Sequence, residues 1–131
     1  MRWAATILGE PCSKANSRRI ANWGGVIKSK KALDYSASFA KQLAVLRPRK
    51  QLTGDLVISI RIWYASRRPD LDESLILDLL QQRKDKRTGA VTPGVYANDR
   101  QLKECHVYHM GIDKVNPRAE IVVATLEDRP W

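Results

Sequence analysis

Leu56-Val57-Ile58-Ser59-Ile60-Arg61-Ile62-Trp63-Tyr64 is the stretch that decides the fold. Leu56, Ile58, Ile60 and Ile62 alternate with Val57, Ser59, Arg61 and Trp63, and β-branched residues dominate the run. Successive side chains of a strand point to opposite faces, so this pattern predicts a β-strand with one wholly apolar face. Such a face must be covered by another layer.

The covering elements are predicted on either side of it. Before it, Leu33, Ala37, Ala40, Leu43 and Ala44 recur at helical spacing, with Phe39 on the edge of the stripe, and Arg47-Pro48 ends the segment. That spacing predicts a helix over 33–46. After it, Leu75, Ile76, Leu79 and Leu80 form a stripe with Leu77 beside it, which predicts a second helix over about 72–82. Further out, the residues up to Leu8 read as a first strand stopped by Gly9 and Pro11. Two late strands are predicted around 102–110 and 119–126, with Asn116-Pro117 in the turn between them.

Residues 12–31 are polar and glycine-bearing and read as a long loop with a short strand near Val26-Ile27. Residues 83–93 are charged and read as a second loop. No repeat and no linker divides the chain. The order strand, helix, strand, helix, strand, strand predicts one α+β domain over 1–131: a small mixed sheet with two helices packed on one face.

Composition narrows the function. An apolar share of 44% argues against a disordered chain, while 23 Lys and Arg against 14 Asp and Glu leave a net charge of +9. A surplus of that size on 131 residues creates a positive field suited to a polyanion, above all a nucleic acid. No apolar run approaches the ~20 residues needed to span a bilayer. The stretch from Arg2 to Leu8 is too short for an export segment, so the expectation is a cytoplasmic protein. Cys12 and Cys105 then read as reduced thiols, and their spacing with His106 and His109 matches no zinc pattern.

In so basic a chain the position of the acids matters. Asp70 and Asp72 lie in Arg68-Pro69-Asp70-Leu71-Asp72-Glu73, and an extended Asp-x-Asp points both carboxylates to one side. Paired hard oxygens of this kind suit Mg²⁺, with Mn²⁺ as the second choice. Taken alone, the pair is better explained by helix capping, which is compatible with a metal site on the same carboxylates. Asp70 with Glu73 approximates a capping box, and Asp72 is itself a good N-cap.

A larger pattern joins these residues. Gly9-x-Pro11-x-Ser13-Lys14-x-Asn16 comes first and Arg68-Pro69-Asp70-Leu71-Asp72 second. Asp78-Leu79-Leu80 and Val95-Tyr96-x-Asn98-Asp99-Arg100-Gln101-Leu102 follow. Together they resemble the RusA-type crossover-junction endodeoxyribonucleases, small dimeric resolvases of phage and prophage origin. The resemblance runs from about Gly9 to His109.

It implies a RusA-like fold, a homodimer, and a Mg²⁺ site on Asp70, Asp72 and Asp99 that nicks paired strands of a Holliday junction. The chain departs from the family at three places. Glu73 stands where asparagine is usual, Ile76 where many members carry a lysine, and Asn98 where the second motif often has aspartate. Glu73 is thus a candidate fourth ligand or base, and Lys103, Lys14 or Lys84 a candidate for the absent cation.

DNA contacts are expected from Lys14, Asn16, Arg18, Arg19, Arg68, Arg100 and Lys103, and from the basic runs 28–31, 47–50 and 83–87. Trp23, beside Gly24-Gly25, is a candidate for stacking on an unpaired base. No nucleophile triad is visible, which favours metal-assisted hydrolysis over a covalent intermediate. The paired-histidine alternative is weak, because His106 and His109 are three apart on a strand and face opposite sides. Two other functions fit the same charge pattern: a nucleic-acid-binding protein without catalysis, and a metal-dependent nuclease that prefers flaps or single strands.

Overall fold

The computed structural model of the protein describes residues 1–12, 18–20, 26–67, 69 and 71–131, with 18–20 and 26–28 entering as backbone. The strand that decides the fold is present as β4 (Leu56–Tyr64). It lies inside a four-stranded sheet of order β1-β8-β4-β7, with β1 at Arg2–Leu8, β7 at Leu102–Ile112 and β8 at Arg118–Thr125. β8 is antiparallel to both β1 and β4, whereas β7 is parallel to β4, so the sheet is mixed.

The alternation in β4 holds only over its second half, because Val57 and Ser59 on the other face are buried as well. Leu56, Ile58, Ile60, Ile62 and Tyr64 are buried, while Arg61 is exposed and Trp63 half-buried. Cross-strand register extends the apolar row over the sheet, since Ile58 faces Val123 and Trp3 faces Val123 from the other side. Ile60 and Ala5 likewise flank Ile121. Helices α1 (Lys30–Leu46) and α2 (Ser74–Leu80) complete one core cluster with this row. The buried residues of α2 are Leu75, Ile76, Leu79 and Leu80, the stripe read from the sequence.

The stripe of α1 is displaced from its expected position. Ala32, Tyr35, Phe39 and Leu43 are buried, and Leu33 is 53% exposed. Phe39 therefore lies at the centre of the face. Tyr35 packs edge-on against it with ring centroids 5.9 Å apart, and the two rings turn the helix away from the alanine row. Ser29 caps the helix through its hydroxyl, which accepts from Ala32 N–H, so the helix starts at Lys30 rather than at 33.

Both expected loops contain a small hairpin. β2 (Arg18–Ile20) pairs with β3 (Val26–Lys28) within 12–31, and β5 (Arg83–Lys84) with β6 (Val91–Thr92) within 83–93. The late strands are not neighbours. β7 and β8 flank β4, and the 113–117 connection passes the end of β4, where Asp113 N–H donates to Tyr64 O at 2.8 Å. Opposite the bulge at Ile62/Trp63, Gly111 adopts φ +127°, a backbone conformation in which a Cβ is strained. No helix among the described residues is long and apolar enough to cross a membrane.

Parallel pairing of β4 with β7 obliges the chain to cross back over the sheet between them. Residues 65–101 make that crossover. The Asp-x-Asp segment falls near its beginning and Asn98-Asp99 near its end, so the topology places both halves of the candidate site on one connection.

Candidate functional site

The beginning of the crossover is held at both ends. The buried Tyr64 closes β4, and burial pushes its phenol up while a hydrogen bond from the Asp72 backbone pulls it down. The Asp72, Glu10 and Glu73 carboxylates push it up again. Those three acids therefore lie around one phenol. Glu10 follows β1. Its Oε2 accepts from Ala65 N–H at 2.5 Å and its Oε1 from Lys31 Nζ at 2.8 Å, and the side chain is only 13% exposed.

Asp72 has a structural use as well as a candidate chemical one. Its Oδ1 accepts from Ser74 N–H at 2.9 Å, turning the chain into α2. Glu73 occupies the N-cap position in αR geometry and makes no side-chain capping bond. The capping box expected between Asp70 and Glu73 is thus not how α2 begins; Asp72 supplies the side-chain acceptor and the Glu73 carboxylate is left uncommitted to the cap. Asp70 and Arg68 lie outside the described residues, as do Lys14, Asn16 and Trp23. Arg18 and Arg19 lie on β2.

The end of the crossover carries Asp99 on a short 3-10 turn, Asp99–Gln101. A capping box is found here. Asn98 Oδ1 accepts from Arg100 N–H at 2.8 Å, and Gln101 Oε1 accepts from Asn98 N–H at 3.1 Å. Gln101 Nε2 also donates to Leu52 O and Gly54 O, and the Asp99 N–H donates to Gln81 Oε1 at 2.9 Å. The backbone of Asp99 is therefore fixed from three sides. No described residue donates to its carboxylate. Arg100 and Lys103 flank it and are exposed.

Electrostatics connect the two ends. Cys105, on β7, is exposed as a residue, yet desolvation of its thiol pushes it up to about 11, and the Glu73 carboxylate adds to the rise. Burial also pushes the Tyr96 phenol up, helped by Asp99, Asp78 and Cys105. Tyr96 donates its hydroxyl to Leu77 O at 2.7 Å, which holds α2 against the segment leading to Asp99. Glu73 is thus felt at Cys105, and Asp99 and Cys105 at Tyr96.

Among the described residues no three His, Cys, Asp or Glu side chains form a group able to hold a metal. Asp72 and Asp99 are two of the three candidate aspartates, and they supply hard oxygen donors of the type Mg²⁺ takes.

Glu10 and Tyr64 were not singled out by the sequence. Glu10 does interrupt the Gly9-x-Pro11 motif as an acid beside a basic loop, which is the signal that marks it. Among the described cations it is Lys31, rather than Lys84 or Lys103, that ties to this acidic neighbourhood. The histidines separate as expected. His106 faces the open side opposite Ser59, and His109 stands at the Ile62 level with its ring 5.0 Å from that of Tyr64. No protein-family model matches the chain, and no curated protein matches it.

Proposed function

We propose that this protein is a divalent-metal-dependent endodeoxyribonuclease of RusA-like fold that acts as a homodimer on branched DNA in the cytoplasm, with four-way junctions as its substrate. The observation that carries the reading is Asp99. In a chain of net charge +9, its backbone is pinned by Gln81 and an Asn98/Gln101 capping box while its carboxylate accepts nothing from any described residue. An acid so positioned and so unpartnered suits a cation ligand.

Asp70, Asp72 and Asp99 would hold Mg²⁺, or Mn²⁺ in its place. When bound, such an ion offsets phosphodiester charge and lowers the pKa of a coordinated water. The chain's own residues do the rest. Glu73, uncommitted to the helix cap, takes a proton from water near the scissile bond. Arg100 and Lys103, exposed beside Asp99, orient the phosphate and offset its charge.

A second reading has one specific observation in its favour. The bond from Ser74 N–H to Asp72, and the capping roles of Asn98 and Gln101, give part of the motif a structural use in a protein that only binds nucleic acid. Nicking of a four-way junction, a flap and a linear duplex, with and without Mg²⁺, separates the readings. Asp70→Asn, Asp72→Asn and Asp99→Asn are expected to abolish cleavage and to leave junction binding intact. Wild-type cleavage by these variants removes the metal-site assignment.

A further inference from the structure

A groove lies where the last turns of α1, the end of α2 and the β5–β6 hairpin meet. Leu43, Leu79 and Pro93 give it an apolar floor, and Arg47 and Arg83 flank it. Its volume, about 230 Å³, falls below the ~300 Å³ at which pockets for small ligands begin. That is too little for a cofactor and enough for one edge of an extended chain.

The groove is built rather than incidental. Gln51 accepts from Gly94 N–H and donates to Gln82, Gln82 N–H donates to Tyr96 O, and Val95 N–H donates to Leu80 O. These bonds pin both feet of the hairpin.

Its charge is one-sided. Arg47, Arg49 and Lys50 follow α1, and Arg83, Lys84, Lys86 and Arg87 lie on the hairpin; none of them forms an ion pair among the described residues. The acid of the hairpin, Asp85, turns its carboxylate onto the backbone N–H groups of Arg87 and Thr88. Asp78, on α2, is felt at Tyr96. Gln81 joins this groove to the candidate site, because it lines the groove and also accepts the Asp99 N–H.

We propose that this groove grips one strand of the DNA substrate next to the cut, with phosphates on Arg47 and Arg83 and the sugar edge on the Leu43–Leu79–Pro93 floor. The inference rests on the reading of the protein as a DNA enzyme and names a contact surface for that substrate. Charge selects a polyanion, the volume selects a strand edge over a cofactor, and the shared Gln81 places that strand beside Asp99.

The test is binding of a labelled four-way junction in EDTA over a salt series, so no cleavage enters the readout. The variants are the Arg47→Ala/Arg83→Ala pair and, at equal charge loss, Arg2→Ala/Lys114→Ala on other surfaces. The groove pair is expected to lose about tenfold or more in affinity, and to flatten the slope of log K against log salt by about 1.4, two single-strand phosphate contacts. Equal behaviour of the two pairs overturns the groove while leaving DNA binding by the wild type in place. Failure of the wild type to bind the junction overturns the DNA-enzyme reading itself. Loss of poly-glutamate binding with junction affinity unchanged assigns the groove to an acidic protein instead and also overturns the proposal.

Discussion

The backbone N–H of Ala65 donates to Glu10 Oε2 at 2.5 Å, a bond between residues 55 apart in the chain. Glu10 leaves the end of β1 and Ala65 the end of β4, and Lys31 in the first turn of α1 holds the other carboxylate oxygen. Three elements are thereby tied where the crossover begins. The far end of the same segment is tied by the Asp72 backbone on the Tyr64 phenol. The ends of the segment from Ala65 to Asp72 are thus set by Glu10 and Tyr64.

Glu10→Ala is therefore expected to cost about 1.5–3 kcal/mol, since it leaves a part-buried N–H without its charged acceptor. Glu10→Gln keeps an acceptor for Ala65 and loses only the Lys31 pair, which is mostly exposed on the lysine side and so contributes little. Urea unfolding of both variants measures the difference. Equal stability of Glu10→Ala and wild type would show that the bond carries no weight.

Gly94 is required by close approach. A Cβ built on it meets Leu80 O at 2.3 Å, Gln81 C at 2.7 Å and Gln82 N at 2.8 Å, all of them backbone atoms. Gly94→Ala must push residues 80–82 aside, at about 1–3 kcal/mol. Gln81 carries the acceptor for Asp99 N–H, so the variant is expected to lower metal-dependent cleavage beyond what its melting temperature explains. Cleavage measured well below the melting transition distinguishes the two effects.

The residues after β8 are expected to respond to acid. Glu104 bonds to His106 and Arg129, and both hold its carboxyl below the ordinary value of 4.5. The ring of Trp131 stands edge-on to His106, with centroids 6.0 Å apart. A depressed carboxylate contributes its stability above its unfolded pKa, and that contribution is lost as pH falls through the lower, folded pKa. Trp131 fluorescence is thus expected to change below about pH 4.5, and Glu104→Gln to show the acid spectrum at neutral pH. Subtracting the signal of Trp131→Phe isolates this ring from the other tryptophans. A Glu104→Gln spectrum identical to wild type at neutral pH breaks the link.

Much of the fold is legible because one face of each main element is buried. The apolar row Leu56-Ile58-Ile60-Ile62 of β4 and the stripe on α2 follow directly from periodicity, whereas the burial of Val57 and Ser59 on the other face of β4 does not. The α1 face is less legible, since Tyr35 carries a hydroxyl and reads as polar, yet its ring is buried beside Phe39. The β5–β6 hairpin is not legible at all. Arg83, Lys84, Val91 and Thr92 are all exposed and show no alternation, and the Asp85 turn and backbone bonds hold the hairpin instead. In the candidate site, the Asn98-x-x-Gln101 spacing is a readable capping signature. Glu10 is marked locally only as an acid beside a basic loop; its bonds to Ala65 and Lys31, far along the chain, are what no local pattern reports.

Cys105 offers a readout of the candidate site that does not depend on cleavage. At about 11 against an ordinary 9.0, its thiol carries about a hundredfold less thiolate at pH 8, so alkylation by iodoacetamide is expected to be correspondingly slow. Cys12, 2% exposed, stays silent in the folded protein. Desolvation is the larger cause of the rise at Cys105 and the Glu73 carboxylate the second, so Glu73→Gln is expected to speed alkylation modestly. A divalent cation bound beside Glu73 would offset the same charge and act in the same direction. Mg²⁺ or Mn²⁺ is therefore expected to speed alkylation of the wild type and to leave Asp72→Asn unchanged. An alkylation rate indifferent to both ions in the wild type would place Glu73 away from any metal, whatever the cleavage assay shows.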